Sequence, residues 1–305
     1  MAANTTYSDI NELWFGYAIN GNKWYDNQAK THFLTRMKQA DKTLAHLQIE
    51  RANMMASECI KWAKVQGYSG VVKDVYWTAR PGTMTKIVGK QVDQKKNPTD
   101  ILVKFTRGPA DGFLGVSAKS THSSGDIGFK NPGLGTVEKT LNIDLAHILI
   151  NETKTAIKKF KLPEEASKRK IAIRANPKIK ESTQAMGSSV LAKIADVMYA
   201  KLKTMQQAKL RDYILVNWMD SNNNLYPPYI KITGKGNKAG QFTASISDPL
   251  KNDKLTALLK SPIKLVRTGS ESIIVMAGSK KIFRIRPKFE SEKMASGLKF
   301  TADPA

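Results

Sequence analysis

Residues 97–121 read NPTDILVKFTRGPADGFLGVSAKST. Two short apolar segments flank a turn sequence rich in glycine and proline, and this pattern predicts a β-hairpin. The first segment begins at an acid, Asp100, and the second ends at a base, Lys119. Neither charge helps to fill a core, so this hairpin is expected to carry chemistry as well as packing.

A tight turn centred on the middle of this stretch predicts that Asp100 faces Lys119 and that Val103 faces Val116. Directly opposed residues of an antiparallel pair share one face of the sheet. This register places only apolar residues on one face and puts the two charges at the open end of the hairpin. The predicted apolar face consists of Ile101, Val103, Phe105, Leu114, Val116 and Ala118.

The charge of the whole chain predicts a polyanionic partner. Its 305 residues include 49 Lys and Arg against 26 acids, a formal net charge of +23. Such a field attracts nucleic acid and is strengthened by counterion release. A membrane surface is a poorer match, because no basic amphipathic helix with an aromatic face is evident.

Several classes of protein are excluded or disfavoured by composition. No apolar run has the roughly 18 residues of a membrane span, and the N-terminus lacks the pattern of a secretory signal, so we expect a cytoplasmic protein. Cys59 is the only cysteine, which excludes an intrachain disulfide and a thiolate cluster. The four histidines are scattered, and Ala118 stands where a P-loop requires glycine.

Periodicity predicts mainly helices in the N-terminal part of the chain and mainly strands in its C-terminal part. Helical segments are expected over residues 8–64, with one uninterrupted helix from about Ala29 to Val65, and again over residues 136–160 and 187–208. Strands are expected at VVKDVYWTA, in the hairpin, and in five segments after residue 225.

A carboxylate beside a lysine at a strand end has a chemical interpretation. Carboxylate oxygens bind hard divalent cations, and hydrolysis of a phosphodiester needs a metal ion and an activated water. Lys119 would orient or help to deprotonate that water. The alternative is a cross-strand salt bridge worth under about 1 kcal/mol.

These elements resemble the PD-(D/E)XK nuclease superfamily, which is restriction-endonuclease-like. PTD at 98–100 resembles its PD element, and SAK at 117–119 resembles its (D/E)XK element. The resemblance covers roughly residues 8–150. It implies an α/β (α+β) fold with a mixed sheet flanked by helices, and a Mg²⁺ ion, with Mn²⁺ as the alternative, bound by Asp100.

The sequence departs from the family pattern at Ser117, which stands where the second acid is expected. Some family members with Ser-x-Lys take a glutamate from the following helix, and Glu138 is the candidate here. A further metal ligand from the first helix would be Glu12, with Glu50 and Glu58 as alternatives. Each glutamate has a competing interpretation, a favourable helix N-terminal charge for Glu138 and a solvated helix face for the others.

The C-terminal half is predicted to bind nucleic acid. We expect a nuclease-like core with N-terminal helices over residues 1–160, and a helical connector with a basic β-rich domain over residues 161–305. Lys235 and Lys238 lie in a glycine-rich loop. One predicted strand has a cation at every second position, namely Arg284, Arg286 and Lys288. These cations are expected to bind a series of phosphates, and a solvated strand is the competing interpretation.

Together these features predict a Mg²⁺-dependent DNA endonuclease, restriction-like or phage-encoded. Asp100 and Glu138, with Glu12, would bind metal, Lys119 would act on the water, and Ser117 would keep a small polar contact. The expected substrate is double-stranded DNA, and cleavage of both strands would call for a homodimer. The rival hypotheses are a non-catalytic nucleic-acid-binding protein on a degenerate nuclease scaffold and a structural protein that coats DNA.

Overall fold

The structure is a computed structural model that describes residues 5–79, 82–93, 97–121, 130–219, 226–238, 240–248 and 253–304. It divides the chain into two compact units. The first unit comprises Ala2–Ile127 and Asn222–Asn252, and the second comprises Gly128–Ser221 and Asp253–Ala305. Each unit has its own sheet and its own buried cluster.

The first unit contains four α-helices and five strands among its described residues. They are α1 (Thr6–Ile19), α2 (Asn27–Gln39), α3 (Lys42–Val65), β1 (Val72–Trp77), α4 (Thr83–Val88), β2 (Ile101–Phe105), a 3₁₀ turn (Ala110–Gly112), β3 (Phe113–Thr121), β4 (Tyr229–Lys235) and β5 (Thr243–Ser247).

The second unit contains six α-helices and four strands among its described residues. They are α5 (Leu134–Leu141), α6 (Ala146–Phe160), α7 (Ala166–Ala175), α8 (Pro177–Lys203), α9 (Gln207–Asn217), α10 (Asp253–Lys260), β6 (Ile263–Thr268), β7 (Ser272–Ala277), β8 (Lys280–Phe289) and β9 (Leu298–Pro304). No helix in the described ranges has both the length and the apolar character needed to cross a bilayer.

The sheet of the first unit is mixed and has the strand order β1-β2-β3-β4-β5. Neighbouring strands are antiparallel except β3 and β4, which run parallel. The expected α/β class with a mixed sheet is therefore confirmed, while the restriction-endonuclease-like arrangement stays a prediction.

The hairpin is formed as predicted, but its register is different. Val103 pairs with Leu114 and Ile101 pairs with Val116, so the predicted partners were displaced by two residues. The assumed tight turn is replaced by a longer connection between Phe105 and Phe113 that contains the 3₁₀ turn, where Gly112 and two non-glycine residues adopt positive φ. A shift of two preserves the faces of a strand, and all six residues of the predicted apolar face lie in one buried cluster.

Helices α1 and α3 cover that apolar face. Phe15 from α1 and Met55 and Cys59 from α3 are fully buried against it. Burial of this kind contributes about 25 cal/mol per Å² of apolar surface. It fixes the position of α1 against the end of the hairpin, where Asp100 lies.

Two predicted helices are each divided in the structure. The helix expected from Ala29 to Val65 is interrupted at Ala40, which is extended, and restarts at Asp41, whose side chain accepts the backbone N–H of Leu44. The helix expected over 136–160 breaks at Asn142, which has φ of 50°. In both cases a local cap outweighs a continuous helical pattern.

The chain is not divided at residue 160. Strand β4 comes from the C-terminal half of the sequence but pairs with β3, and β5 pairs with β4. The second unit instead receives α5 and α6. The assignment of these elements to the two units depends on backbone hydrogen bonds between segments that are distant in sequence. Local composition gives little indication of such bonds.

The second sheet is antiparallel with the order β6-β7-β8-β9. Its core face packs with α8, α9 and α10 in one buried cluster that includes Trp218, Phe283 and Phe300. The expected β-rich character of the C-terminal region is present, with helices as a large part of the same unit.

Candidate functional site

Asp100 is held at the start of β2 by three hydrogen bonds to one oxygen. Its Oδ2 accepts the ammonium of Lys119 at 2.7 Å, the backbone N–H of Ala118 at 2.9 Å and the hydroxyl of Ser117 at 3.3 Å. Within the described part of the chain, Oδ1 has no such partner. The sequence therefore placed Asp100, Ser117 and Lys119 together correctly, although through a different register.

The residues before Asp100 fix its backbone. Its amide N–H donates to Val116 O at 2.9 Å, and its carbonyl accepts the hydroxyl of Thr78 at 2.9 Å. Thr99 lies against Gly115, where an added Cβ would come within 2.1 Å of the Thr99 hydroxyl oxygen. Only glycine fits at position 115 without moving the segment that carries Asp100.

Glu12 of α1 lines a pocket of about 270 Å³ together with Lys119. Burial, reinforced by the negative charge of Asp100, raises the pKa of Glu12 to about 8, against a smaller opposing effect of Lys119. A carboxyl group with a strongly raised pKa in a pocket is a functional-site candidate. The other lining residues are Tyr7, Ser8, Asn11, Gln48, Ala118 and Ser120.

Tyr25 accounts for part of the dry surroundings of Glu12. Its ring packs directly on Gly16: a Cβ added at this position would be 2.5 Å from a ring carbon. Gly16 is one helical turn from Glu12, so both lie on the same side of α1. The Tyr25 hydroxyl is buried without a hydrogen-bond partner in the described residues, and burial and the nearby charges of Asp26 and Glu12 raise its pKa.

The predicted ligand Glu138 lies in the second unit. Its Oε1 accepts the backbone N–H groups of Leu145 at 2.7 Å and Ala146 at 2.5 Å, at the start of α6. This arrangement matches the capping role of an acid near a helix N-terminus. Of the other glutamates considered, Glu58 pairs with Lys61 at 2.7 Å and Glu50 lies 3.9 Å from His46.

Helix α3 adds a polar network that was not predicted from the sequence. Ser120, next to Lys119, donates to Gln48 Oε1 at 2.6 Å and accepts from Arg51 at 3.0 Å. The fully buried Arg51 also donates twice to Gly236 O, at 2.7 and 2.6 Å. The network connects the ends of β3 and β4.

A signal for this network was present in the sequence. Gln48 and Arg51 continue the buried stripe of α3 that includes Ala52, Met55 and Cys59, and polar residues at core spacing call for buried partners. Those partners are distant in sequence, so the pattern indicates a network without showing what it contacts.

The predicted nucleic-acid-binding residues fall into two groups. Lys235, at the end of β4, is partly exposed and Lys238 is exposed, and the register places Lys235 opposite Thr121, just beyond Lys119. The second group lies on strand β8 of the second unit, where Arg284 and Arg286 are partly exposed and Lys288 is exposed.

Asp100 and Glu12 together fit a metal ion that keeps several waters. Among the described residues no three His, Cys, Asp or Glu side chains form a metal-binding group. Mg²⁺ is commonly bound by one or two carboxylates plus substrate phosphates. Among the described residues Oδ1 of Asp100 has no hydrogen-bond partner, and Glu12 is destabilised as an anion by the charge of Asp100; a cation would relieve this repulsion.

Comparison of the sequence with protein-family models gave no match, and comparison with curated proteins gave none either.

Proposed function

We propose that this protein is a metal-dependent nuclease that hydrolyses phosphodiester bonds in DNA. One observation carries the proposal: Glu12 and Lys119 line one small pocket, Lys119 binds the carboxylate of Asp100, and the pKa of Glu12 is raised partly by the charge of Asp100. Carboxylates that could bind a metal ion and a lysine that could act on its water are suited to hydrolysis of a phosphate ester.

Each side chain has a role in this proposal. Asp100 and Glu12 would hold a Mg²⁺ or Mn²⁺ ion, which when bound supplies Lewis-acid polarisation of a phosphoryl oxygen. Lys119 orients the attacking water and offsets charge on the phosphate. Ser117 donates to the same oxygen of Asp100 as Lys119 does, which restrains the carboxylate. Glu138 enters this scheme only if it leaves its bonds at the start of α6.

DNA is the proposed substrate because of the charge of the chain. A net charge of +23 favours binding to a polyanion and makes it sensitive to salt. Lys235 ends β4, which pairs with the strand that carries Lys119, and Lys238 follows it; both would contact the backbone of the substrate. Cleavage of both strands of a duplex would call for a homodimer, which sedimentation on DNA would reveal.

The test is incubation of supercoiled plasmid with Mg²⁺ or Mn²⁺. Wild type and the control Lys73→Ala, which alters an exposed lysine on β1 of the same sheet, should cut. Lys119→Ala should not, although it should bind the plasmid equally in EDTA. Equal cutting by Lys119→Ala and wild type would refute the assignment.

A non-catalytic nucleic-acid-binding protein is the second candidate. It is favoured by Ser117, which provides no negative charge, and by the finding that no three His, Cys, Asp or Glu side chains among the described residues form a metal-binding group. This candidate predicts a clear gel shift without cleavage under either metal, and binding that is unchanged in Asp100→Ala.

A further inference from the structure

The face of the second sheet that is turned away from its core carries cations on one half and mainly apolar residues on the other half. The core face includes Ile273, Val275 and Phe283, and the described helices that contact this sheet belong to that same core. The opposite face alternates with it along each strand. By the register, it carries Val266, Ile274, Met276, Lys264, Arg284, Arg286, Lys288, Lys299, Thr301 and Asp303.

Most of the cations named on this face lie on β8 and β9, and Lys264 lies on β6. Lys288 and Lys299 are directly opposed in the register, and like charges in that position repel each other. Asp303 is the acid that the register places on this face, and Arg286 already binds it at 3.1 Å. The Nε atoms of Arg284 and Arg286 are buried without a partner in the described residues. This half of the face therefore has an excess of positive charge that an anion would offset.

The neighbouring half, on β6 and β7, is mainly apolar, with Lys264 beside Met276 at one end. Arg284 pairs with Ile274, and Ile274 pairs with Val266, so one row passes from a cation to two aliphatic side chains. Met276 lies beside Ile274 on the same face, and all three aliphatic residues are partly exposed. Adjacent strands are about 4.8 Å apart, so the aliphatic surface begins one strand away from the cations.

We propose that this face binds one unpaired nucleic-acid strand. Its phosphates lie on Arg284, Arg286, Lys288 and Lys299, and its bases lie on Val266, Ile274 and Met276. Alternate residues along β8 are about 6.8 Å apart, which suits successive phosphates of an extended strand. A duplex presents phosphates with its bases stacked inside, so it would use the cations but leave the aliphatic surface uncovered.

This proposal rests on the nucleic-acid partner of the proposed function and is independent of cleavage. Binding is measured by fluorescence anisotropy of a labelled single-stranded oligonucleotide and of its duplex, with the full chain in EDTA over a series of salt concentrations. We expect the double variant Lys288→Gln/Lys299→Gln to weaken single-strand binding about tenfold at low salt. Its salt slope should fall by about 1.4, since each phosphate contact on a single strand contributes about 0.7.

The aliphatic half is tested by Ile274→Asn, which should weaken single-strand binding about fivefold and leave duplex binding unchanged. Matched controls are Lys178→Gln/Lys209→Gln, on exposed lysines of α8 and α9, and Ile171→Asn on α7, where the isoleucine is 62% exposed. These should bind like wild type.

Single-strand binding by Lys288→Gln/Lys299→Gln that equals that of the controls would overturn the proposal, as would equal losses of single-strand and duplex binding in Ile274→Asn. A protein that passes both tests but fails to cut plasmid would retain this surface and lose the nuclease assignment.

Discussion

The ammonium of Lys119 lies 2.7 Å from Oδ2 of Asp100. This ion pair joins the end of β3 to the residue that precedes β2. The two side chains are 33% and 22% exposed, and solvent screens such a pair, so its contribution to stability is about 1 kcal/mol. This contribution is small beside the total stability of about 5–15 kcal/mol that is usual for a folded protein. The position of this ion pair beside Glu12 is instead the basis of the chemical role proposed for it.

Replacement of Asp100 by asparagine tests that division between stability and chemistry. Asp100→Asn keeps the size of the side chain and removes the negative charge that holds Lys119. We expect cleavage to fall at least ~100-fold, by the magnitude usual for a lost acid–base or ligand group, while the free energy of unfolding changes by about 1 kcal/mol. Plasmid cleavage and urea denaturation measure the two effects.

The matched control for Asp100→Asn is Asp196→Asn, which removes the acid of an ion pair with Arg267 in the second unit. It should leave cleavage intact. A large loss of stability in Asp100→Asn, with cleavage falling only in proportion to the unfolded fraction, would argue for a structural ion pair.

Glu12 makes stability depend on pH in a defined direction. Burial raises the pKa of Glu12 from 4.5 to about 8 in the folded protein, so between these values the folded state keeps a proton that the unfolded state has lost. By linkage, this group lowers the free energy of unfolding as pH rises from about 4.5 to 8. Below that window it has no effect, and above it the penalty is complete.

In EDTA, Glu12→Gln should therefore be more stable than wild type at pH 9, with the difference shrinking toward pH 5. Urea denaturation at several pH values measures it. Glu58→Gln, which removes a carboxylate on the outer face of α3, should show no such trend. An equal pH dependence in Glu12→Gln and wild type would show that Glu12 is not protonated in the folded state.

Gly16 tests the packing around Glu12. A methyl group at this position would overlap the ring of Tyr25, 2.5 Å from one of its carbons, and overpacking of this kind costs about 1–3 kcal/mol. Gly16→Ala should be destabilised by that amount in thermal or urea unfolding, despite the better helix propensity of alanine. In Gly135→Ala, on α5, an added Cβ meets nothing within 4 Å, and propensity alone should stabilise the variant by up to about 1 kcal/mol.

If both glycine variants gain stability, the Tyr25 ring does not lie against Gly16. In that case the dry environment that raises the pKa of Glu12 would need another source.

Two buried arginines provide a matched pair, one in each unit. Arg51 is 0% exposed and donates to Gly236 O, whereas Arg169 is 7% exposed and donates to Met294 O at 2.8 Å. Replacement by methionine leaves buried carbonyl groups unsatisfied, at about 1–3 kcal/mol each. We expect Arg51→Met to increase amide hydrogen exchange in α3, β3 and β4 only, and Arg169→Met to do so in α7 and the segment before β9.

Hydrogen exchange followed by mass spectrometry resolves these segments. Arg51→Met should also reduce plasmid cleavage, because Ser120 neighbours Lys119, whereas Arg169→Met should not. Exchange that increases evenly over the whole chain in both variants would show that the two units unfold together and that neither arginine acts locally.

The sequence by itself determined the local chemistry of the hairpin. Alternation of apolar residues fixed both faces, because a strand repeats every two residues, and the error of two residues in the register left the faces unchanged. The spacing from Asp100 to Lys119 was enough to bring these two residues and Ser117 together. The net charge of the chain likewise follows from the sequence without knowledge of the fold.

The tertiary structure alone decided which distant segments join this hairpin. Composition does not show that β4 pairs with β3, that Glu12 lies in the pocket while Glu138 caps α6, or that Arg51 binds Gly236. These contacts depend on pairing of backbone groups and on helix packing over long sequence separations. Such contacts are selected by the free energy of the whole fold, in which a local pattern is only one contribution.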